Sequence, residues 1–75
     1  MVIKTLYSQM YNEVKNHIGT FPFELNVDGL EQIHKREDIV DTFEYFLDTN
    51  FITGTYEDQY YKLILQVDSS NISSN

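Results

Sequence analysis

The fold turns on Glu37-Asp38-Ile39-Val40-Asp41-Thr42-Phe43-Glu44-Tyr45-Phe46-Leu47-Asp48-Thr49-Asn50-Phe51-Ile52. Its apolar residues Ile39, Val40, Phe43, Phe46 and Leu47 recur at steps of three and four, which predicts a helix over residues 37–49. Asn50 follows as a residue that tolerates the left-handed conformation and can stop a helix. Phe51-Ile52-Thr53 then reads as a strand, residues 54–59 as a polar turn, and residues 60–67 as a second strand. On that second strand Tyr61, Leu63, Leu65 and Val67 share one face, while Tyr60, Lys62, Ile64 and Gln66 share the other.

Upstream, Ile3, Leu6, Met10, Val14 and Ile18 again fall at helical steps, with Tyr7 and Tyr11 flanking them at the edge of the core. Lys4, Ser8, Asn12, Glu13, Lys15 and Asn16 fill the opposite side, as an amphipathic helix requires, and Gly19 suits its termination. Phe21, Phe23 and Leu25 alternate with polar residues, but Pro22 bars a central strand, leaving a short edge strand or an extended linker. Asp28 with Glu31 three residues on has capping-box spacing and predicts a short helix to about Lys35, burying Leu30 and Ile33. Asn26 is the alternative cap. The expected architecture is α+β: three helices, then a two-stranded β-hairpin, in one domain over residues 1–67. Residues 68–75, mostly Ser and Asn, are expected to be a disordered polar tail.

Composition bounds the function. The 75 residues leave room for one domain, and twelve acids against five Lys and Arg give a formal charge of −7. With no cysteine there is no disulfide or thiolate metal site. The longest apolar run, Leu63-Ile64-Leu65, is too short to span a membrane. Met1-Val2-Ile3-Lys4-Thr5 lacks the apolar block of a signal peptide, so a cytoplasmic product is expected. Alanine is absent, so every aliphatic core position carries a large side chain. Asn, Ile, Tyr and Phe supply twenty-four residues, and Pro, Gly and Arg only five. That bias toward A/T-rich codons fits a low-GC bacterium or one of its phages or plasmids.

Helix, extended piece, helix, helix, hairpin is the element order of a winged-helix domain. The passage Phe43-Glu44-Tyr45-Phe46-Leu47-Asp48-Thr49-Asn50-Phe51-Ile52 resembles the exit from the third helix into the wing in small bacterial and phage winged-helix proteins. There an apolar residue is followed five places later by a Gly-aromatic-Ile type turn. Phe46 stands five residues before Phe51, and Asn50 takes the place where the family usually has Gly. The segment between the second and third helices is shorter than the family's by about a turn.

In DNA-binding members the third helix enters the major groove and exposes Arg, Lys, Asn or Gln. Here Glu37, Asp41, Glu44 and Asp48, spaced four, three and four, form an acidic stripe opposite Ile39, Phe43 and Phe46. The expected hairpin tip, Thr55-Tyr56-Glu57-Asp58-Gln59, adds two more acids. Phosphate binding needs cations, and only Lys35-Arg36 is a basic cluster, so direct nucleic-acid binding is not expected. A solvated helix face is the plain explanation of the stripe. Against it, like charges at i,i+4 repel, and Asp48 opposes the helix dipole. Carboxylates flanked by Tyr45 and Tyr56 suit a basic protein groove, since Tyr supplies contact area at low entropy cost and the acids steer an Arg/Lys-rich partner.

Chemistry-bearing motifs are few. His17 and His34 lie on different predicted helices with no metal-ligand spacing, and no oxygen cage for Ca²⁺ or Mg²⁺ is present. No nucleophile elbow or phosphate-cradling loop occurs. The expectation is a non-enzymatic module without metal or cofactor. Its partner face is Glu37, Asp41, Glu44, Tyr45, Asp48, Tyr56, Glu57 and Asp58. Its expected partner is a basic, nucleic-acid-binding host protein that a phage or mobile-element inhibitor would engage as a DNA mimic. Two alternatives stand beside it: a homo-oligomeric structural protein, and a dimeric winged-helix regulator touching DNA through Lys4, Lys15, Lys35 and Arg36.

Overall fold

The computed structural model describes residues 1–72. In chain order the elements are α1 (Lys4–Asn16), β1 (Phe23–Leu25), α2 (Asp28–Glu31), α3 (Arg36–Asp48), β2 (Ile52–Gln59) and β3 (Lys62–Ser70). The strands form one antiparallel sheet in the order β1-β3-β2. Among the described residues no helix is long and apolar enough to cross a membrane.

The two long helices form where the periodicity placed them, and both present their apolar stripes to the sheet. Leu6, Met10 and Val14 of α1 and Ile39, Phe43 and Phe46 of α3 are fully buried. They meet Leu25 of β1, Ile52 of β2 and Leu63, Leu65 and Val67 of β3 in a single core. Each such side chain contributes about 1.5–3 kcal/mol on burial. That is how so short a chain offsets its chain entropy without a disulfide. Thr42, the one buried polar residue described, donates its hydroxyl to the Asp38 carbonyl at 2.7 Å.

Helix α3 stops as expected at Asn50, which holds a left-handed φ of 62°. The Phe51 N–H reaches back to the Phe46 carbonyl (3.0 Å) and the Asn50 N–H to that of Leu47 (3.1 Å). These two bonds are the Schellman pattern, and the Phe46 and Phe51 rings, 6.2 Å apart, supply its apolar contact. The motif turns the chain directly into β2.

Four expectations need correction. The sheet has three strands and not two: β1 starts just after Pro22, and Phe23 and Leu25 pair with Val67 and Leu65 along the free side of β3. Helix α2 is only one turn, and Ile33 beyond it is 71 % exposed, because the chain leaves the helix before Ile33 can turn inward. The polar turn expected at residues 54–59 is strand, and the hairpin reverses instead at Tyr60 and Tyr61, between the pair Gln59↔Lys62. Finally, β3 continues through Ser70, pairing Ser69 with Thr53 and Ser70 with Ile52, and Ile72 is buried. The polar tail expected from residue 68 is therefore part of the fold as far as residue 72, and residues 73–75 lie outside the described residues.

Candidate functional site

The outer face of α3 is where the acidic residues gather. Glu37, Asp41, Glu44 and Asp48 are all exposed, on the side of the helix opposite fully buried Ile39 and Phe46. Helical spacing sets Tyr45 along one border of this stripe, where its ring meets Tyr7 of α1 edge-on at 5.8 Å. The other border is β2. There Tyr56 packs edge-on against Phe43 (6.1 Å), and its hydroxyl donates to Glu44 Oε1 at 2.5 Å.

Strand alternation decides which β2 acids join that face. Tyr56 and Asp58 pair with Leu65 and Leu63, which point into the core, so both project toward α3. Glu57 pairs with Ile64 and projects to the opposite face of the sheet, where its carboxylate accepts from Gln59 Nε2 at 3.0 Å. The structure thus brings Glu37, Asp41, Glu44, Asp48, Tyr45, Tyr56 and Asp58 to one side of the molecule and leaves Glu57 outside it.

Tyr56 sits in a ring of negative charge. Its hydroxyl is held above the ordinary value of 10.0, first by the bond to Glu44 and then by desolvation and the charges of Glu44, Asp58 and Asp41. At neutral pH it is a fixed, protonated donor. It takes up one carboxylate oxygen of Glu44 and leaves the other free.

Two features of this face carried no usable signal in the sequence. Arg36 reads as half of a basic pair, yet it is consumed internally. Its guanidinium donates to the Gln59 carbonyl (2.8 Å), to Asp58 (3.3 Å) and to Glu31 (3.3 Å), tying the hairpin to α2 and α3. The chain-terminal ammonium of Met1 donates to Asp38 at 3.1 Å and also to Asp41. Only chain topology, invisible to local spacing, brings these groups together.

Protein-family models, curated proteins and solved structures offer no match to this chain.

Both histidines have local partners. The His17 Nδ1 donates to the Glu13 carbonyl at 2.9 Å and its ring stacks on Phe23 at 4.0 Å, while His34 Nε2 donates to Gln9 Oε1 at 3.1 Å. Among the described residues no three His, Asp or Glu side chains converge as metal ligands.

Proposed function

We propose that this chain is a non-enzymatic, winged-helix-like module that binds a basic protein through the acidic face of α3 and the adjoining side of β2. The winged-helix part is supported by element order: three helices with β1 between the first two, then a hairpin in the place of a wing. The one-turn α2 departs from that pattern.

The observation that carries the functional part is the cluster of exposed carboxylates around Tyr56, with Asp41 and Glu44 on the helix that would otherwise lie in a DNA groove and Asp58 on the adjoining β2. A phosphate backbone is repelled by such a face, whereas a groove of Arg and Lys is attracted. The partner is a nucleic-acid-handling host protein whose phosphate-binding groove the carboxylates occupy. The chain is then a cytoplasmic DNA mimic of phage or mobile-element origin, acting as inhibitor or modulator. The DNA-binding regulator reading loses its best cation, because Arg36 is held by Glu31 and Asp58.

The test pairs the wild type with an Asp41→Lys/Glu44→Lys variant of unchanged circular dichroism. Both are used to capture protein from a low-GC bacterial lysate, with elution by rising salt. The expected result is a DNA-binding protein retained by the wild type, released by salt or competing duplex, and not retained by the variant. Equal capture by both proteins, or a tight complex of the wild type with duplex oligonucleotide at 0.15 M salt (a Debye length of about 8 Å), rejects the proposal.

A further inference from the structure

We infer that the cleft between α2 and the free side of β3 takes up a short, extended, basic peptide that adds to the sheet in line with β1. The cleft measures about 330 Å³ and is walled by residues 24–28, Glu31 and residues 61–64. Its origin is a mismatch of strand lengths. Strand β3 runs from Lys62, but β1 covers it only from Leu65 to Val67 and stops at Leu25. The chain then turns away into α2, with Asn26 Oδ1 accepting the Asp28 N–H at 3.1 Å. Residues 62–64 pair with β2 on one side, at Gln59, Asp58 and Glu57. On the other side they have no strand neighbour among the described residues.

An uncovered stretch of a central strand is a template for strand addition, in which main-chain hydrogen bonds supply affinity and alternate side chains supply selectivity. The cleft also says what those side chains should be. Glu24, Asp28 and Glu31 line it against the single ammonium of Lys62. Glu31 is shared with Arg36, whereas Glu24 and Asp28 form no ion pair among the described residues. Tyr61, 81 % exposed at the rim, offers a ring for the stem of a long cationic side chain. Register follows from the sheet. The peptide runs antiparallel to β3 opposite Leu63 and Lys62, since no separate chain can sit one residue from Leu25, to which Asn26 is bonded. Its residue opposite Lys62 falls on the same sheet face as Glu24, and a lysine or arginine there extends along that face toward the Glu24 carboxylate. This site is separate from the α3 face and does not depend on it.

The experiment uses the whole chain, labelled with ¹⁵N, and a blocked pentapeptide alternating lysine and valine. Titration is expected to shift the amide signals of Lys62 and Leu63 and of residues 26–28. Methylating the peptide's backbone nitrogens should lower affinity by about tenfold or more, because the ladder bonds are lost. Glu24→Lys/Asp28→Lys should lower it by a similar factor, and Asp41→Lys/Glu44→Lys should leave it unchanged. Shifts confined to α3, equal binding of the methylated peptide to the wild type, or no shift at millimolar peptide would each overturn the inference.

Discussion

The hydroxyl of Tyr56 on β2 and the carboxylate of Glu44 on α3, twelve residues apart in the chain, are joined by a hydrogen bond of 2.5 Å. This contact fixes the border between helix and hairpin and sets the protonation behaviour of the face. Tyr56 is expected to ionise above its ordinary range, because phenolate would form against Glu44, Asp58 and Asp41. A folded-state pKa raised above the unfolded value stabilises the fold below the unfolded pKa and loses that contribution as pH rises through the folded one. Tyr7 shifts the same way, first by burial and then by Tyr45 and Tyr11. Stability should therefore fall above about pH 10, the ordinary tyrosine pKa. In a spectrophotometric titration, Tyr56→Phe should remove a late-ionising phenol and Glu44→Gln should bring that phenol to lower pH. A titration unchanged by both substitutions would contradict the bond.

Gly54 should not accept a side chain. A Cβ built there lies 2.0 Å from the Gln66 carbonyl oxygen, a backbone atom of the neighbouring strand, at the register shift between Thr53 and Gly54. Gly54→Ala is expected to destabilise the fold by about 2–4 kcal/mol in urea unfolding. Gly29 has nothing within 4 Å of the same position. Gly29→Ala should be neutral or stabilise by up to about 1 kcal/mol, through helix propensity and a less flexible unfolded chain.

Arg36 holds the hairpin by three acceptors at its half-buried guanidinium. Arg36→Gln should cost only about 1 kcal/mol of global stability, since such pairs are screened by solvent and salt. Its sharper effect should be local. Hydrogen exchange at residues 59–62 is expected to quicken more than exchange in the core of α3, and uniform quickening would argue against the clamp.

Asn50 carries the left-handed turn that ends α3. Asn50→Gly should hold or raise stability by about 0.5–1 kcal/mol, and Asn50→Val should lower it by at least 1–2 kcal/mol, roughly the cost of a β-carbon in that conformation. Thermal unfolding checks this, with the Asn50→Val midpoint expected below that of the wild type and the Asn50→Gly midpoint at or above it.

What could be seen from the sequence divides along physical lines. Helices α1 and α3 were legible because each buries a stripe of large apolar residues at helical spacing, and Asn50 because few residue types tolerate a left-handed φ. The hairpin reversal was not. Gly54 and Asp58 have turn chemistry and Tyr60-Tyr61 does not, yet Gly54 is needed for a close backbone approach and the reversal falls on the tyrosines. Residues 68–70 looked like tail because their side chains are polar, but a strand can be held by its pairing alone, here with Ile52 and Thr53. The acidic stripe followed from one helical period. The bonds at its borders did not, because Tyr56 against Glu44 and Arg36 against Asp58 are set by chain topology.

The central position of β3 also has a consequence for synthesis. Its partners β1 and β2 both precede it in the chain and do not touch each other, and Leu25 must wait roughly 40 residues for Leu65, a long loop to close. On the ribosome, then, neither earlier strand can find its place until the third has emerged. The sheet should form in one late step, and a nascent chain halted before Lys62 should expose the apolar faces of both long helices to chaperones.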